Sequence, residues 1–204
     1  MFGCYGTLID WESGLLTVLQ PFLKAHEVYL TDQKVLDLYG GFESEAQRDR
    51  FNIYQEILRN IIRSFGNKFS FIPSTTEINS LVNSIGKWKP FPDTVKALQT
   101  FKEKYKLAVI ANIDDSLFAL TETSLQTNFD WVITSQQVGA YKPSKKNYEY
   151  ALHEINHPKD FCLSHSTSPY CLTRCFPTTK QISAVSTPNA SMRISSIVRT
   201  SGGF

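Results

Sequence analysis

The most informative segment is Phe2-Gly3-Cys4-Tyr5-Gly6-Thr7-Leu8, close to the start of a chain of 204 residues. Its apolar beginning is typical of the end of a buried β-strand. Gly6-Thr7 is typical of a tight turn in which backbone amides can approach a bound anion. Taken by itself, the segment also fits an ordinary turn between a strand and a loop. Only Met1 and Phe2 precede Gly3, so we expect the chain to begin inside this first strand.

A second apolar run, Leu107–Ala111, predicts another buried strand. It is followed by Asn112, and then by Asp114 and Asp115 before a helical stretch begins. Acidic residues at a helix start usually cap free amides and interact favourably with the helix dipole. A catalytic carboxylate pair is the alternative.

A third apolar run, Trp131–Thr134, leads through a short connection to Lys142-Pro143. Proline is favoured in the first turn of a helix, so a helix is expected from this point. The lysine that precedes it is either a cation of a functional site or an ordinary surface residue.

Between residues 11 and 89, apolar residues recur at helical spacing in four groups. These groups run from Leu15 to Leu23, from Val35 to Tyr39, from Ile53 to Phe65 and from Ile78 to Ile85. They predict four helices. Pro90 and Pro92 then mark the return to the strand-containing part of the chain, with a helix expected from Asp93 to Lys104.

Taken together, these motifs resemble those of the haloacid dehalogenase superfamily over roughly residues 1 to 155. The resemblance implies an α/β fold with a Rossmann-like parallel-sheet core, formed by residues 1–10 and 90–161, and an inserted helical cap, formed by residues 11–89. In this superfamily an aspartate at the end of the first strand attacks the substrate. A lysine before a proline-started helix offsets the charge of that aspartate and of the substrate.

Two tyrosines resemble those of the 2-haloacid dehalogenase (type II) branch, which uses no metal or other cofactor and displaces halide from carbon. Tyr5 stands where magnesium-dependent phosphatases have a second aspartate, and Tyr148 follows Lys142 by six residues. The site residues that the resemblance implies are Lys142, Asn112, Thr7, Tyr5 and Tyr148.

The chain departs from the family pattern at its chemically most important positions. Gly3 stands where the nucleophilic aspartate is expected, and Ala111 lacks the hydroxyl of the second motif. Gly40 lies near the expected place of the cap arginine that would bind a substrate carboxylate. The acidic loop of the fourth motif is not found, so the last part of the core is expected to be missing or replaced. A truncated or degenerate member of the family is therefore expected, without meaningful turnover.

The segment 162–204 differs in composition from the rest of the chain. Of its 43 residues 15 are Ser or Thr, and none is Asp or Glu. Such a composition is typical of a disordered extension, and a wrong reading frame or splice boundary near residue 160 explains it better. A zinc site is a weaker alternative, because the spacing of Cys162, His165, Cys171 and Cys175 does not form two paired clusters.

Composition also bounds the partners. The formal net charge is only +2 and the basic residues are scattered, so nucleic-acid binding is not expected. No signal peptide or long apolar span is found, so a cytoplasmic protein without membrane contact is expected. The expected ligand is a small anionic molecule, and a homodimer is compatible with the sequence. Two functions remain open: an impaired hydrolase of the haloacid dehalogenase type, and a non-catalytic protein that binds a small anion.

Overall fold

The computed structural model describes residues 1–48 and 50–156. The chain divides into two compact units. The helical unit consists of Trp11–Trp88, and the sheet unit consists of Met1–Asp10 with the described residues from Lys89 onward. The expectations for residues 162–204, including the zinc alternative, lie outside the described residues. In the part of the chain that is described, no helix has the length and apolar character needed to cross a membrane.

Three long helices form most of the helical unit. They are α1 (Trp11–Ala25), α2 (Asp32–Ala46) and α3 (Tyr54–Phe69). Thr31 begins α2 by accepting a hydrogen bond from the amide of Lys34, and Ser70 ends α3 in the left-handed conformation. The apolar residues that repeat at helical spacing in α1 and α3 form the buried faces of these helices, as their periodicity predicts.

The prediction of one continuous helix from Ile78 to Ile85 is wrong. The chain instead forms α4 (Thr75–Ile78), α5 (Ser80–Ser84) and a 3-10 turn (Ile85–Lys87). The break falls at Asn79, whose side-chain amide donates to the carbonyl of Thr75 at 2.9 Å. Its side-chain oxygen accepts from Arg59 Nε at 2.9 Å. Asparagine side chains compete in this way with the helix backbone, and apolar periodicity does not register that competition.

The interior of the helical unit combines close apolar packing with a buried polar cluster. Gly14 of α1 packs on Trp88, and a Cβ atom at residue 14 would lie only 2.5 Å from Trp88 Cγ. The polar cluster consists of Glu43 and two tyrosines. Tyr54 donates to Glu43 Oε1 at 2.5 Å, and the hydroxyls of Tyr39 and Tyr54 are 2.8 Å apart.

The sheet unit confirms the expected α/β arrangement. Its described strands, β1 (Phe2–Gly3), β2 (Ala108–Ala111) and β3 (Trp131–Thr134), are parallel and lie in the order β1-β2-β3. The accompanying helices are α6 (Thr94–Lys102), α7 (Asp115–Leu125), α8 (Ser135–Val138) and α9 (Lys145–Ile155). Gly3 is in register with Ile110, and Ala111 with Thr134. The segments that follow the strands therefore meet at one edge of the sheet, where parallel α/β proteins bind ligands.

At the opposite end of the strands, Asp130 joins the starts of β2 and β3. Its Oδ2 atom accepts from the amide of Leu107 at 2.8 Å and from Lys102 Nζ at 2.6 Å, and its Oδ1 atom lies 3.1 Å from Lys106 Nζ. Burial alone would raise the pKa of Asp130, but these hydrogen bonds outweigh it and lower the pKa well below its ordinary value. This carboxylate fixes the sheet on the side away from the candidate site.

Candidate active site

The turn after β1 has the tight geometry that its sequence predicts. The carbonyl of Cys4 accepts hydrogen bonds from the amides of Thr7, Leu8 and Ile9 at 3.1, 2.7 and 3.2 Å. Gly6 has a φ of 82°, a left-handed conformation that glycine adopts without steric cost. Thr7 is buried within the turn. The turn therefore places Thr7 directly beyond the end of β1.

The side chain of Lys142 reaches the end of β2. Its ammonium donates to the carbonyl oxygen of Ile110 at 2.6 Å. Ile110 is the register partner of Gly3, and Lys142 interacts electrostatically with Cys4, the residue that follows Gly3. The structure thus brings Lys142 and Gly3 to the same sheet edge, as their order in the motifs suggests.

The side chain of Asn112 also contacts Lys142, at the backbone of the lysine. The side-chain oxygen of Asn112 accepts from the amide of Lys142 at 2.7 Å, and its side-chain nitrogen donates to the carbonyl of Lys142 at 3.2 Å. The residues that follow β2 and β3 are thereby joined across 30 positions of sequence.

The hydroxyl of Tyr5 is directed to α7. It lies 2.8 Å from Thr121 Oγ1, which in turn donates to the carbonyl of Leu117 at 3.3 Å. Burial, with a smaller contribution from nearby Cys4, raises the pKa of Tyr5 well above its ordinary value. The phenol is therefore neutral at physiological pH.

Tyr148 is buried on the sheet. It belongs to an apolar cluster with Ile110, Ile133 and Ala151. This contact places Tyr148 beside the strand residue whose carbonyl receives Lys142. Its ring contributes to the core of the sheet unit, and its role in the site stays a prediction.

Cys4 directly follows Gly3, but its thiol is not activated. Burial raises the pKa of Cys4 to about 12, and the positive charge of Lys142 offsets this only in part. A thiolate is the reactive form of cysteine. Cys4 therefore does not supply a replacement nucleophile in the folded protein.

A second polar link between the loops was missed by the sequence reasoning. Asp115 Oδ1 accepts from Thr134 Oγ1 at 2.5 Å and from Gln137 Nε2 at 2.9 Å. Thr134 and Gln137 also form a capping box at the start of α8, and the Thr-x-x-Gln spacing was a visible signal for that cap. Asp114 occupies the N-cap position of α7 but makes no side-chain capping bond. Asp115 thus joins α7 to α8.

The arrangement brings an ammonium and a buried hydroxyl, those of Lys142 and Thr7, to one end of the sheet. It cannot form an aspartyl ester at residue 3, because glycine has no side chain. Ala111 likewise offers no hydroxyl, and the hydroxyl of its register partner Thr134 is bonded to Asp115. Among residues 1–48 and 50–156, no three His, Cys, Asp or Glu side chains are grouped so that they could hold a metal ion.

A parallel sheet with helices between its strands, and a helical unit inserted in the sequence after the first strand, define a Rossmann-like α/β protein. The family model of haloacid dehalogenase-like hydrolases matches residues 2–162. The chain belongs to this family.

Known relatives agree on the family and differ in their named activities. The chain is 34% identical over 152 residues to the pyrimidine 5'-nucleotidase YjjG of Escherichia coli K12, covering 74% of this chain and 52% of the relative. The chain therefore spans about half the length of that curated relative.

Among solved structures, similar folds include the L-2-haloacid dehalogenase PA0810, with a TM-score of 0.76, 19% identity and coverage of 88% of this chain and 81% of that chain. Another is the L-2-haloacid dehalogenase of Xanthobacter autotrophicus with chloropropionic acid covalently bound, with a TM-score of 0.74, 16% identity and coverage of 91% and 77%. The TM-scores show a shared fold, and at identities this low the similarity shows the fold alone.

Proposed function

We propose that this chain is a hydrolase of the haloacid dehalogenase type whose catalysis is impaired because residue 3 is glycine. The observation that carries the proposal is the position of Lys142. Its ammonium lies 2.6 Å from the carbonyl of Ile110, and Ile110 is the register partner of Gly3. A cation at this end of the sheet would offset the charge of a carboxylate at residue 3.

With an aspartate at residue 3, the reaction would proceed in two steps. A carboxylate oxygen would form a bond to the substrate carbon while the carbon–halogen bond breaks, and halide would leave with the electron pair. Water would then attack the carbonyl of the aspartyl ester, releasing a hydroxy acid and regenerating the carboxylate. Loss of a nucleophile typically lowers the rate by about 10⁶-fold, whereas binding contacts survive.

Of the remaining site residues, one carries a charge and the others are uncharged. Lys142 would balance the charge of the nucleophile and of an anionic substrate. Thr7 is buried in the turn after β1, and Tyr148 packs beside Ile110. Tyr5 favours displacement of halide from carbon, because its neutral phenol replaces the carboxylate that phosphatases use as a general acid. The ligand class is a small organic anion.

The decisive experiment is to restore the nucleophile in the full chain as Gly3→Asp. We expect hydrolysis of a short 2-halocarboxylate, measured by halide release, to rise by at least about 10³-fold over the unmodified protein. The matched control is Gly3→Asn, which adds a side chain of nearly the same size without a nucleophilic carboxylate. Nucleoside monophosphates serve as the second substrate class, because the E. coli relative is named as a pyrimidine nucleotidase.

The outcomes separate cleanly. Halide release by the aspartate variant alone supports the proposed function. Phosphate release in its place would reassign the substrate class, and no turnover of either substrate by a folded Gly3→Asp protein would contradict the proposal.

A non-catalytic anion-binding protein is the second candidate, and the retained Lys142 ammonium favours it. The unmodified chain should then bind 2-chloropropionate or inorganic phosphate in a calorimetric titration. Binding should be lost in Lys142→Ala and kept in Lys146→Ala, a lysine nearby in the sequence that lies in α9. Equal binding by both variants would argue against a role for Lys142.

A further inference from the structure

We propose that Asn112 is a positioning residue that acts through Lys142, rather than by binding the substrate itself. Both ends of its side-chain amide are bonded to the backbone of this one residue. Its oxygen accepts from the amide of Lys142 at 2.7 Å, and its nitrogen donates to the carbonyl of Lys142 at 3.2 Å. A backbone amide must face oxygen and a carbonyl must face nitrogen, so this pattern fixes the orientation of the side chain.

The two bonds act together with a third that involves the lysine side chain. Lys142 Nζ donates to the carbonyl of Ile110 at 2.6 Å, two residues before Asn112 on the same chain segment. The backbone and the ammonium of Lys142 are therefore both anchored at the end of β2. A lysine side chain loses considerable rotamer freedom when it is held in one conformation. Anchoring the backbone of Lys142 restricts the positions that its ammonium can reach, and so favours the observed position.

The contact between the segments that follow β2 and β3 does not depend on Asn112 alone. Asp115 joins α7 to Thr134 and Gln137 through separate hydrogen bonds of 2.5 and 2.9 Å. Loss of the Asn112 amide should therefore leave the loops close together but release Lys142. This separates a positioning role from a general structural one. Gln137→Ala provides the matched control, because it weakens the link between the segments that follow β2 and β3 without removing a bond to Lys142.

The first test uses the full chain without any turnover. Lysine ¹⁵Nζ–H signals are recorded by NMR, and the signal of Lys142 is assigned by its loss in Lys142→Arg. In the unmodified protein we expect slow hydrogen exchange at this ammonium. Asn112→Ala should speed that exchange by about tenfold or more, whereas Gln137→Ala should leave it within about twofold. Asn112→Asp keeps the oxygen acceptor and loses the donor, so it should show an intermediate rate and serves if the alanine variant fails to fold.

Unchanged Lys142 exchange in a folded Asn112 variant would overturn the inference, even if its melting temperature fell. The second test rests on the proposed function and uses the Gly3→Asp protein. There, Asn112→Ala should lower kcat by about tenfold to a hundredfold while KM stays within about threefold. A rise in KM with unchanged kcat would instead make Asn112 a substrate contact and would also overturn the inference. If Gly3→Asp shows no turnover, the proposed function fails, and the NMR measurement still decides the role of Asn112.

Discussion

Two carboxyl groups in the two units of the molecule are stabilised in opposite ways. Glu43 of the helical unit faces the hydroxyls of Tyr54 and Tyr39, and burial raises its pKa despite these hydrogen bonds. Asp130 of the sheet unit contacts Lys102 and Lys106, and its hydrogen bonds lower its pKa. The surroundings make ionisation of Glu43 less favourable and ionisation of Asp130 more favourable.

The difference follows from what each unit has to hold together. The helical unit buries apolar faces of helices, and its polar cluster must be compatible with an environment that penalises charge. The sheet unit joins segments that are distant in sequence, and charged hydrogen bonds supply both strength and direction for that purpose. The two units should therefore respond differently to packing changes, to charge removal and to pH.

The largest expected effect is loss of packing in the helical unit through Gly14→Ala. The added methyl group would meet the ring of Trp88 at 2.5 to 2.8 Å. Trp88 is buried and donates to Ser84 Oγ at 3.0 Å, so its ring has little room to move. We expect a loss of about 3 kcal/mol in the free energy of unfolding. Hydrogen exchange in peptides of α1 and α5 checks it, and unchanged protection there would contradict the packing argument.

The next effect concerns the sheet unit and charge. Asp130→Asn keeps the size of the side chain but removes the charged acceptor of Lys102 and Leu107. We expect a loss of about 2 kcal/mol at neutral pH. Because the pKa of Asp130 is lowered in the folded state, its contribution is present above the ordinary aspartate pKa of about 4 and is lost as pH falls through the folded pKa.

Urea denaturation between neutral and acidic pH measures this dependence. The unmodified sheet unit should weaken in acid, and Asp130→Asn should remove most of that slope. A slope that is the same in both proteins would show that other groups cause the acid sensitivity.

A smaller effect on stability, with the opposite dependence on pH, is expected at Glu43. Its folded-state pKa is raised, so its contribution is fully present below the ordinary glutamate pKa of about 4.3 and is lost as pH rises through the folded pKa. Glu43→Gln keeps an uncharged oxygen acceptor for Tyr54. We expect it to change stability by less than about 1 kcal/mol in acid and to remove the decline with rising pH. Hydrogen exchange in α2 at several pH values, corrected for intrinsic rates, decides between these outcomes.

The smallest effect is a gain. Gly40 lies within α2, and a Cβ atom there would contact nothing within 4 Å. Gly40→Ala should therefore stabilise the helical unit by about 0.5 to 1 kcal/mol through helix propensity alone. The same substitution has opposite signs at residues 14 and 40, and thermal unfolding of the two variants compares them directly. A loss of stability in Gly40→Ala would contradict the conclusion that a Cβ atom at residue 40 meets no neighbour.

Much of the fold could be predicted from short-range patterns. Apolar periodicity located α1, α2 and α3, and the buried runs located β2 and β3. The resemblance to the haloacid dehalogenase superfamily implied a parallel sheet, which places the segments after the strands at one end of the sheet. The same resemblance implied that Lys142 belongs to one site with residue 3.

The polar links that organise this edge could not be predicted. The contacts of Asn112 with Lys142 and of Tyr5 with Thr121 join positions 30 and 116 residues apart. Such pairs leave no periodic signal, and their geometry depends on how the loops pack. The break at Asn79 was missed for a related reason, because it depends on a side-chain amide that binds a backbone carbonyl.

The buried thiol of Cys4 makes the first strand accessible to kinetic measurement. With a pKa of about 12, only about one molecule in 10⁴ carries the thiolate at pH 8, so alkylation of the folded protein should be very slow. An exposed cysteine has an ordinary pKa of about 8.5 and reacts readily. With Cys162, Cys171 and Cys175 replaced by serine, Cys4 is the one cysteine left in the chain. The rate at which a small alkylating reagent modifies Cys4 would therefore report how often β1 separates from its neighbour.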